Sequence, residues 1–217
     1  EDVKLSSIKL AGIDSIARTI LNQKMAPGFQ VLVAKSGKIV FNKSYGYHTD
    51  KKRYKVKNSD VYDLASLTKI LASLPLIMKA EEDHKMPLSA SLRDILPSFN
   101  HSNKDTVTVR EILSHFGRLK AWIPFYKGTQ DSTSGNNLAK FYRNKKSQKF
   151  NIKVAKNLYL NKSYKDSIYK YIKKADQRQN TGYKYSDLGY YLFKEVLEKQ
   201  YKKPMNTLVL SWIESRI

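Results

Sequence analysis

The chain has 217 residues, 41% hydrophobic and 27% charged, a balance that suits one globular domain, or one domain with a helical insert, and argues against wholesale disorder. It has no Cys, which excludes disulfides, thiolate metal sites and a Cys nucleophile, and its four His are scattered without a metal-binding spacing, so no metal or cofactor is expected. The formal net charge of +21, from 40 Lys and Arg against 19 Asp and Glu, favours contact with anionic surfaces. Spread over many segments and mostly Lys, the excess is also what a solvated Lys-rich surface would give, and no signature of specific nucleic-acid binding accompanies it.

No apolar run is long enough for a transmembrane segment, and no basic-then-apolar signal segment opens the chain. Glu1 is not an initiator Met, so a processed product or an excised domain is expected.

In chain order, residues 7–24 place Ile8, Ile13, Ile16, Ala17, Ile20 and Leu21 at helical spacing, and Pro27-Gly28 ends that helix. FQVLVAKSGKIVFNKSYGY follows, two strands about Lys35-Ser36-Gly37-Lys38 that predict a β-hairpin. The basic run 51–55 reads as a loop. Asp63 to Lys79 has a helical period with Ser66 near its start. Thr108 with Glu111 three residues on predicts a capping box. Residues 129–150 read as a flexible polar insert, 162–174 as a basic amphipathic helix and 186–202 as a further helix. After residue 150 only Asn206–Leu210 reads as a strand, although a hairpin alone is marginal in water.

Ser66-Leu67-Thr68-Lys69 puts a hydroxyl and an amine three residues apart, on one face if the segment is helical. A serine hydroxyl needs a base before it attacks, and Lys becomes one only if burial or a nearby cation lowers its pKa. Alone, this spacing arises easily in a Lys-rich chain.

Its surroundings make it specific. Val61-Tyr62-Asp63-Leu64-Ala65-Ser66-Leu67-Thr68-Lys69 resembles the nucleophile box of the class C β-lactamase-like family, which includes penicillin-binding proteins and esterases. The hairpin sequence resembles that family's first two strands. Val109 to His115 with Leu119 resembles its helix-to-loop segment, and Tyr185-Ser186-Asp187-Leu188-Gly189-Tyr190 its second box. The resemblance covers about residues 10–205.

It implies an α+β, β-lactamase/transpeptidase-like fold: an antiparallel sheet flanked by helices, with a helical lobe, in a single domain over 1–217. The opening helix and hairpin would occupy 1–60 and the catalytic boxes 61–205, with the later sheet strands missing. It further implies Ser66 as an acyl-accepting nucleophile, Lys69 as its base, Tyr185 as a second proton-transfer group and Asp187 holding Lys69. Asp187 stands where the family usually has Asn; a carboxylate there favours charged Lys69 and tilts the expectation toward an esterase-like member.

Arg118 occupies the family's usual Gly position, and the third box, Lys-Thr-Gly or His-x-Gly, is absent. Leu119 to Tyr126, with Phe150 to Tyr169, resembles a branch fused behind bacterial family-three β-N-acetylglucosaminidases. Within it, Trp122, Phe125 and Tyr126 are candidates for lining a substrate cleft, with Arg118 at the rim.

The expected function is a serine hydrolase acting through an acyl-enzyme on a small ester or amide, or on a cell-wall-derived substrate, in a bacterial periplasm or envelope. The alternatives are a catalytically impaired fragment or accessory domain of a larger envelope glycoside hydrolase, and a polyanion-binding protein.

Overall fold

A computed structural model describes residues 3–215, which divide between Leu64 and Ala65 into two compact units, called here 1–64 and 65–217 after the stretches of chain they belong to. The fold is α+β, as expected. In the first unit, α1 (Ser7–Asn22) starts where the Ser6 hydroxyl accepts the Lys9 N–H at 3.3 Å. β1 (Gly28–Lys35) and β2 (Lys38–Gly46) pair antiparallel, with Lys35 opposite Lys38 and no third strand in their sheet among the described residues. Ser36 and Gly37 both have positive φ, which gives the connection the twist a two-residue hairpin needs. Asp14 ties α1 to β2, accepting from Lys43 and from the Tyr45 hydroxyl, each at 2.7 Å.

The second unit holds the main core. A π-helical stretch, Lys69–Ser73, runs into α2 (Leu74–Glu82). α3 (Leu92–Ile95) and α4 (Val109–Leu113) follow, and α4 carries the predicted capping box with both hydrogen bonds formed. Next come β3 (Tyr142–Arg143), β4 (Phe150–Ala155) and β5 (Leu158–Asn161), then α5 (Ser163–Lys174), α6 (Leu188–Tyr201) and α7 (Met205–Glu214). Leu188, Leu192, Phe193, Val196 and Leu197 of α6 are buried against Ile77, Leu92, Val109 and Ile112. Each such apolar side chain contributes roughly 1.5–3 kcal/mol on burial. Tyr201 of α6 donates to Asp83, just past α2, at 2.7 Å, and Asp83 also accepts from Lys79.

Three sequence expectations change. β4 and β5 form an antiparallel hairpin with β3 added on the β5 side, so residues after 150 do supply strands. The supposed flexible insert contains ordered turns: Asp131 accepts the N–H groups of Thr133 and Ser134, and Gln130 bridges to Asn137. Asn206–Leu210 is helical, within α7, because Pro204 leads into a helix that buries Leu208.

Lys104 is fully buried and donates to the carbonyls of Lys173 and Ala175, closing the C-terminal end of α5. Gly189 lets α6 touch α4, since a Cβ there would collide with the Ile112 side chain. Gly189→Ala should therefore destabilise the fold by about 1–3 kcal/mol, read as a lower midpoint in urea unfolding.

Candidate active site

Ser66 sits in the turn that starts the helix, just before the π-helical stretch. Ala65 has a φ of 42°, and the Ser66 carbonyl accepts the Lys69 N–H at 3.0 Å. A left-handed φ is costly for a residue with a Cβ, and it turns the chain sharply before the serine. The expected helix from Asp63 therefore begins later, at Leu67, after residues 61–64, which form no regular element. The turn leaves Ser66 exposed with Lys69 one turn on, its amine donating to Ser66 Oγ at 3.2 Å.

Tyr185, 119 residues away, donates its hydroxyl to the same Oγ at 3.0 Å. Asp187 Oδ1 lies 2.6 Å from the Lys69 amine. All four residues expected at the catalytic centre thus converge. Lys69 is the most enclosed, its side chain 15% exposed against 40% for Asp187, and its amine also lies 5.1 Å from the Tyr185 ring centre and 5.6 Å from that of Tyr190. Burial lowers the Lys69 pKa, but the ion pair with Asp187 and the contact with Tyr185 outweigh it, and the net shift is upward. Lys69 is therefore an ammonium at neutral pH. A hydroxyl that receives two donors, one of them cationic, is set up to carry negative charge on its oxygen.

His115 was not singled out by sequence, yet it holds the tyrosine segment at two points. Its carbonyl accepts the Lys184 N–H at 3.0 Å and its Nδ1 accepts the Ser186 N–H at 3.2 Å, one bond on each side of Tyr185. The imidazole lies against the phenol with ring centres 4.6 Å apart. Burial, then the Lys69 charge, push the His115 pKa below its usual value, with Asp187 opposing, so the neutral ring that can accept is favoured. Its sequence signal was its place at the end of the stretch from Val109 that resembles the family's helix-to-loop segment. The Ser186 hydroxyl donates to the Lys120 carbonyl at 2.6 Å, and the Asp187 N–H to the Ala121 carbonyl at 2.8 Å, fixing the segment on its other side.

The hollow beside Ser66, about 420 Å³, is lined by Ser66, Lys69, Asp187, Tyr190, Tyr191 and Lys194 among others. None of the four residues expected to bind substrate lines it. Trp122 (57% exposed) and Tyr126 (52%) face solvent. Phe125 packs its ring on Tyr171 and Tyr191, and so reaches the hollow only through Tyr191. Arg118 has a φ of 58°, the conformation that explains a Gly preference, and is held there by its Nε donating to the Arg178 carbonyl at 2.8 Å and by the Arg178 N–H returning to its own carbonyl. Its guanidinium is engaged in folding the loop. No group of metal-ligating side chains occurs among the described residues, and no described helix is long and apolar enough to cross a membrane.

Known proteins show the same arrangement of elements. A penicillin-binding protein homologue from Pyrococcus abyssi superposes with a TM-score of 0.67 at 17% identity, covering 93% of this chain and 41% of that one. A class C beta-lactamase gives 0.63 at 18% identity, covering 94% and 48%. Among curated relatives, an N-acetylmuramyl-L-alanine amidase of Bacillus subtilis is 25% identical over 95% of this chain and 44% of its own length. Protein flp of Staphylococcus aureus is 28% identical over 58% of this chain and 25% of its own length. The chain thus spans less than half the length of these curated relatives. The beta-lactamase family profile matches residues 13–213, nearly the whole chain. On that match, and with the fold agreeing, the chain belongs to the beta-lactamase family of serine hydrolases.

Proposed function

We propose that the chain carries the nucleophilic half of a serine amidase that cleaves a muramyl-type amide, releasing an L-alanyl amine from a cell-wall-derived substrate. The observation that carries the chemistry is the meeting of Lys69 and Tyr185 on one oxygen, Ser66 Oγ. The substrate class rests on the amidase relative, which aligns over 95% of the chain. A bacterial envelope location follows from that substrate, and a glycosidase domain in the same protein would supply it.

Ser66 Oγ attacks the amide carbonyl, and an ester bond to Ser66 forms as the carbon–nitrogen bond breaks. For this the Tyr185 hydroxyl, a donor to Ser66 Oγ at rest, turns its own proton to the leaving nitrogen as its oxygen accepts the serine proton. The Lys69 ammonium, held by Asp187, offsets negative charge along this path, and the Ser66 backbone N–H is one donor to the carbonyl oxygen. Water then enters by the reverse relay and frees the carboxylate. No step calls for a metal or cofactor. Trp122 and Tyr126, exposed outside the hollow, are offered as contacts for the remote part of a longer substrate.

The test is to incubate the protein with an N-acetylmuramyl-L-alanyl peptide and follow the released peptide by mass spectrometry, beside fluorophosphonate labelling. Release by the parent and none by Ser66→Ala is expected. Equal release by both, or a label on another residue, refutes the reading. A second reading, an impaired or accessory domain, is favoured by the Asp187 carboxylate, which holds Lys69 charged and so keeps it from acting as a neutral base. It predicts a labelled Ser66 without turnover.

Asp187 also sets a pH limit. Because its carboxylate raises the Lys69 pKa, the ammonium persists to high pH and activity falls only as Lys69 deprotonates. Asp187→Asn removes the carboxylate that raises the Lys69 pKa and leaves the lowering effect of burial opposed by Tyr185 alone. The alkaline limb of the pH–rate profile should move to lower pH. An unmoved limb would mean that the charged amine is not required.

A further inference from the structure

Although the positive charge is spread along the chain, one stretch carries it with no acidic residue between. Between Asp131 and Asp166 the chain has nine Lys and Arg and no acidic residue. These residues build the β3–β5 sheet and its 144–149 loop, where they frame a cleft of about 820 Å³ lined by Tyr142, Arg143, Lys145, Lys146, Phe150 and Leu158 among others. Lys145, Lys146 and Lys149 are exposed, and among the described residues of unit 65–217 the ion pairs lie on other elements, Lys165 of α5 with Glu195 and Glu198 included. The nearest acid in sequence before the cleft, Asp131, spends its Oδ1 on the Thr133 and Ser134 N–H groups and the Ser134 hydroxyl.

Arg143 is held in place. Its guanidinium lies 4.8 Å from the Phe150 ring centre and donates to the Tyr142 and Ala139 carbonyls through one nitrogen, leaving further N–H groups of its fork for a ligand.

We propose that this cleft is a docking site for a linear polyanion, a chain bearing phosphate or carboxylate groups at intervals. Several unpaired cations around a concavity raise the local concentration of such a chain and release its counterions when it binds. The concave floor, with Tyr142 and Phe150 in it, suits a strand lying in a groove better than a flat bilayer. The cleft shares no residue with the hollow beside Ser66, so the proposal stands apart from the hydrolase reading.

The experiment measures fluorescence anisotropy of labelled polyphosphate and labelled poly-glutamate at about 50 and 200 mM salt. Lys145→Glu/Lys146→Glu is compared with Lys51→Glu/Lys55→Glu, an equal charge change on an exposed loop of the other unit. The first double variant should bind at least ~10-fold more weakly at low salt, with its log–log salt slope shallower by about 1.4–1.8, while the control loses less than about threefold. Loss with polyphosphate alone identifies phosphate as the recognised group, and loss with both polymers a shared anion chemistry. Equal loss in both double variants overturns the proposal, because the binding is then a property of total charge. Binding to phosphatidylglycerol vesicles without binding to either polymer also overturns it. Labelling at Ser66 should be the same in all three proteins.

Discussion

In Ser66→Ala, turnover of the muramyl amide and fluorophosphonate labelling should fall to background, a loss of up to about 10⁶-fold in kcat for a nucleophile that works within a linked set. Lys69→Met should lose about 10³-fold or more, since it removes both a donor on Ser66 Oγ and the charge beside the proton path. The double variant should be scarcely worse than Ser66→Ala, because residues that act as a unit do not add. Ser66 is exposed, so its removal should change folding stability by less than about 0.5 kcal/mol, which separates chemistry from collapse. Single-turnover rates with a thermal melt on each variant give both readings. Additive losses in the double variant would show that serine and lysine act independently.

Tyr185→Phe should cost about 10²–10⁴-fold in kcat with little change in KM, since the ring remains while the relay is cut. The acid side of the pH profile then reports on His115. Its neutral ring accepts from Ser186, and its lowered pKa keeps it neutral at the usual imidazole value. As pH falls through the lowered value the ring gains a proton, loses the acceptor and places a second cation near Lys69, with Tyr183, Tyr185, Tyr190 and Asp187 as the other groups facing it. The hold on the tyrosine segment loosens and activity drops. Because the unfolded chain binds this proton first, stability too should decline as pH falls below about 6.5. His115→Asn keeps an acceptor near the Nδ1 position and tolerates the positive φ of 62°. It should abolish the acid limb while lowering the plateau modestly. An acid limb unchanged in His115→Asn assigns that titration to another group.

Much of this was legible in the chain. α1, the first hairpin, the capping box, α5 and α6 each follow from a local period or a turn pair, and Ser66, Lys69, Tyr185 and Asp187 followed from boxes in order. What was missed depends on tertiary contact. Phe150, Ile152, Val154, Leu158 and Leu160 do alternate, but Lys156-Asn157 lacks the Gly that marks a hairpin, and Asn157 adopts a φ of 52° without one. Thr207-Leu208-Val209-Leu210 has strand composition; docking Leu208 into the core makes it helix. His115 looked like any solitary histidine, because its value lies in two bonds to a segment some seventy residues on.

The two-stranded ribbon of the first unit has a consequence for handling. Among the described residues no third strand joins β1 and β2, so backbone groups on the ribbon's two edges stay outside any ladder, although the Asn42 and Gly46 carbonyls accept from the Asn58 amide and the Val56 N–H, and Leu32 and Ile39 are exposed on the ribbon. Such rims recruit strands from other molecules. The deterrent is mutual repulsion: at +21 the molecules stay apart while the Debye length is about 30 Å near 0.01 M salt, and approach once it shrinks to about 8 Å near 0.15 M. Colloidal behaviour is therefore governed by ionic strength, and a dilute buffer is the condition in which single chains persist.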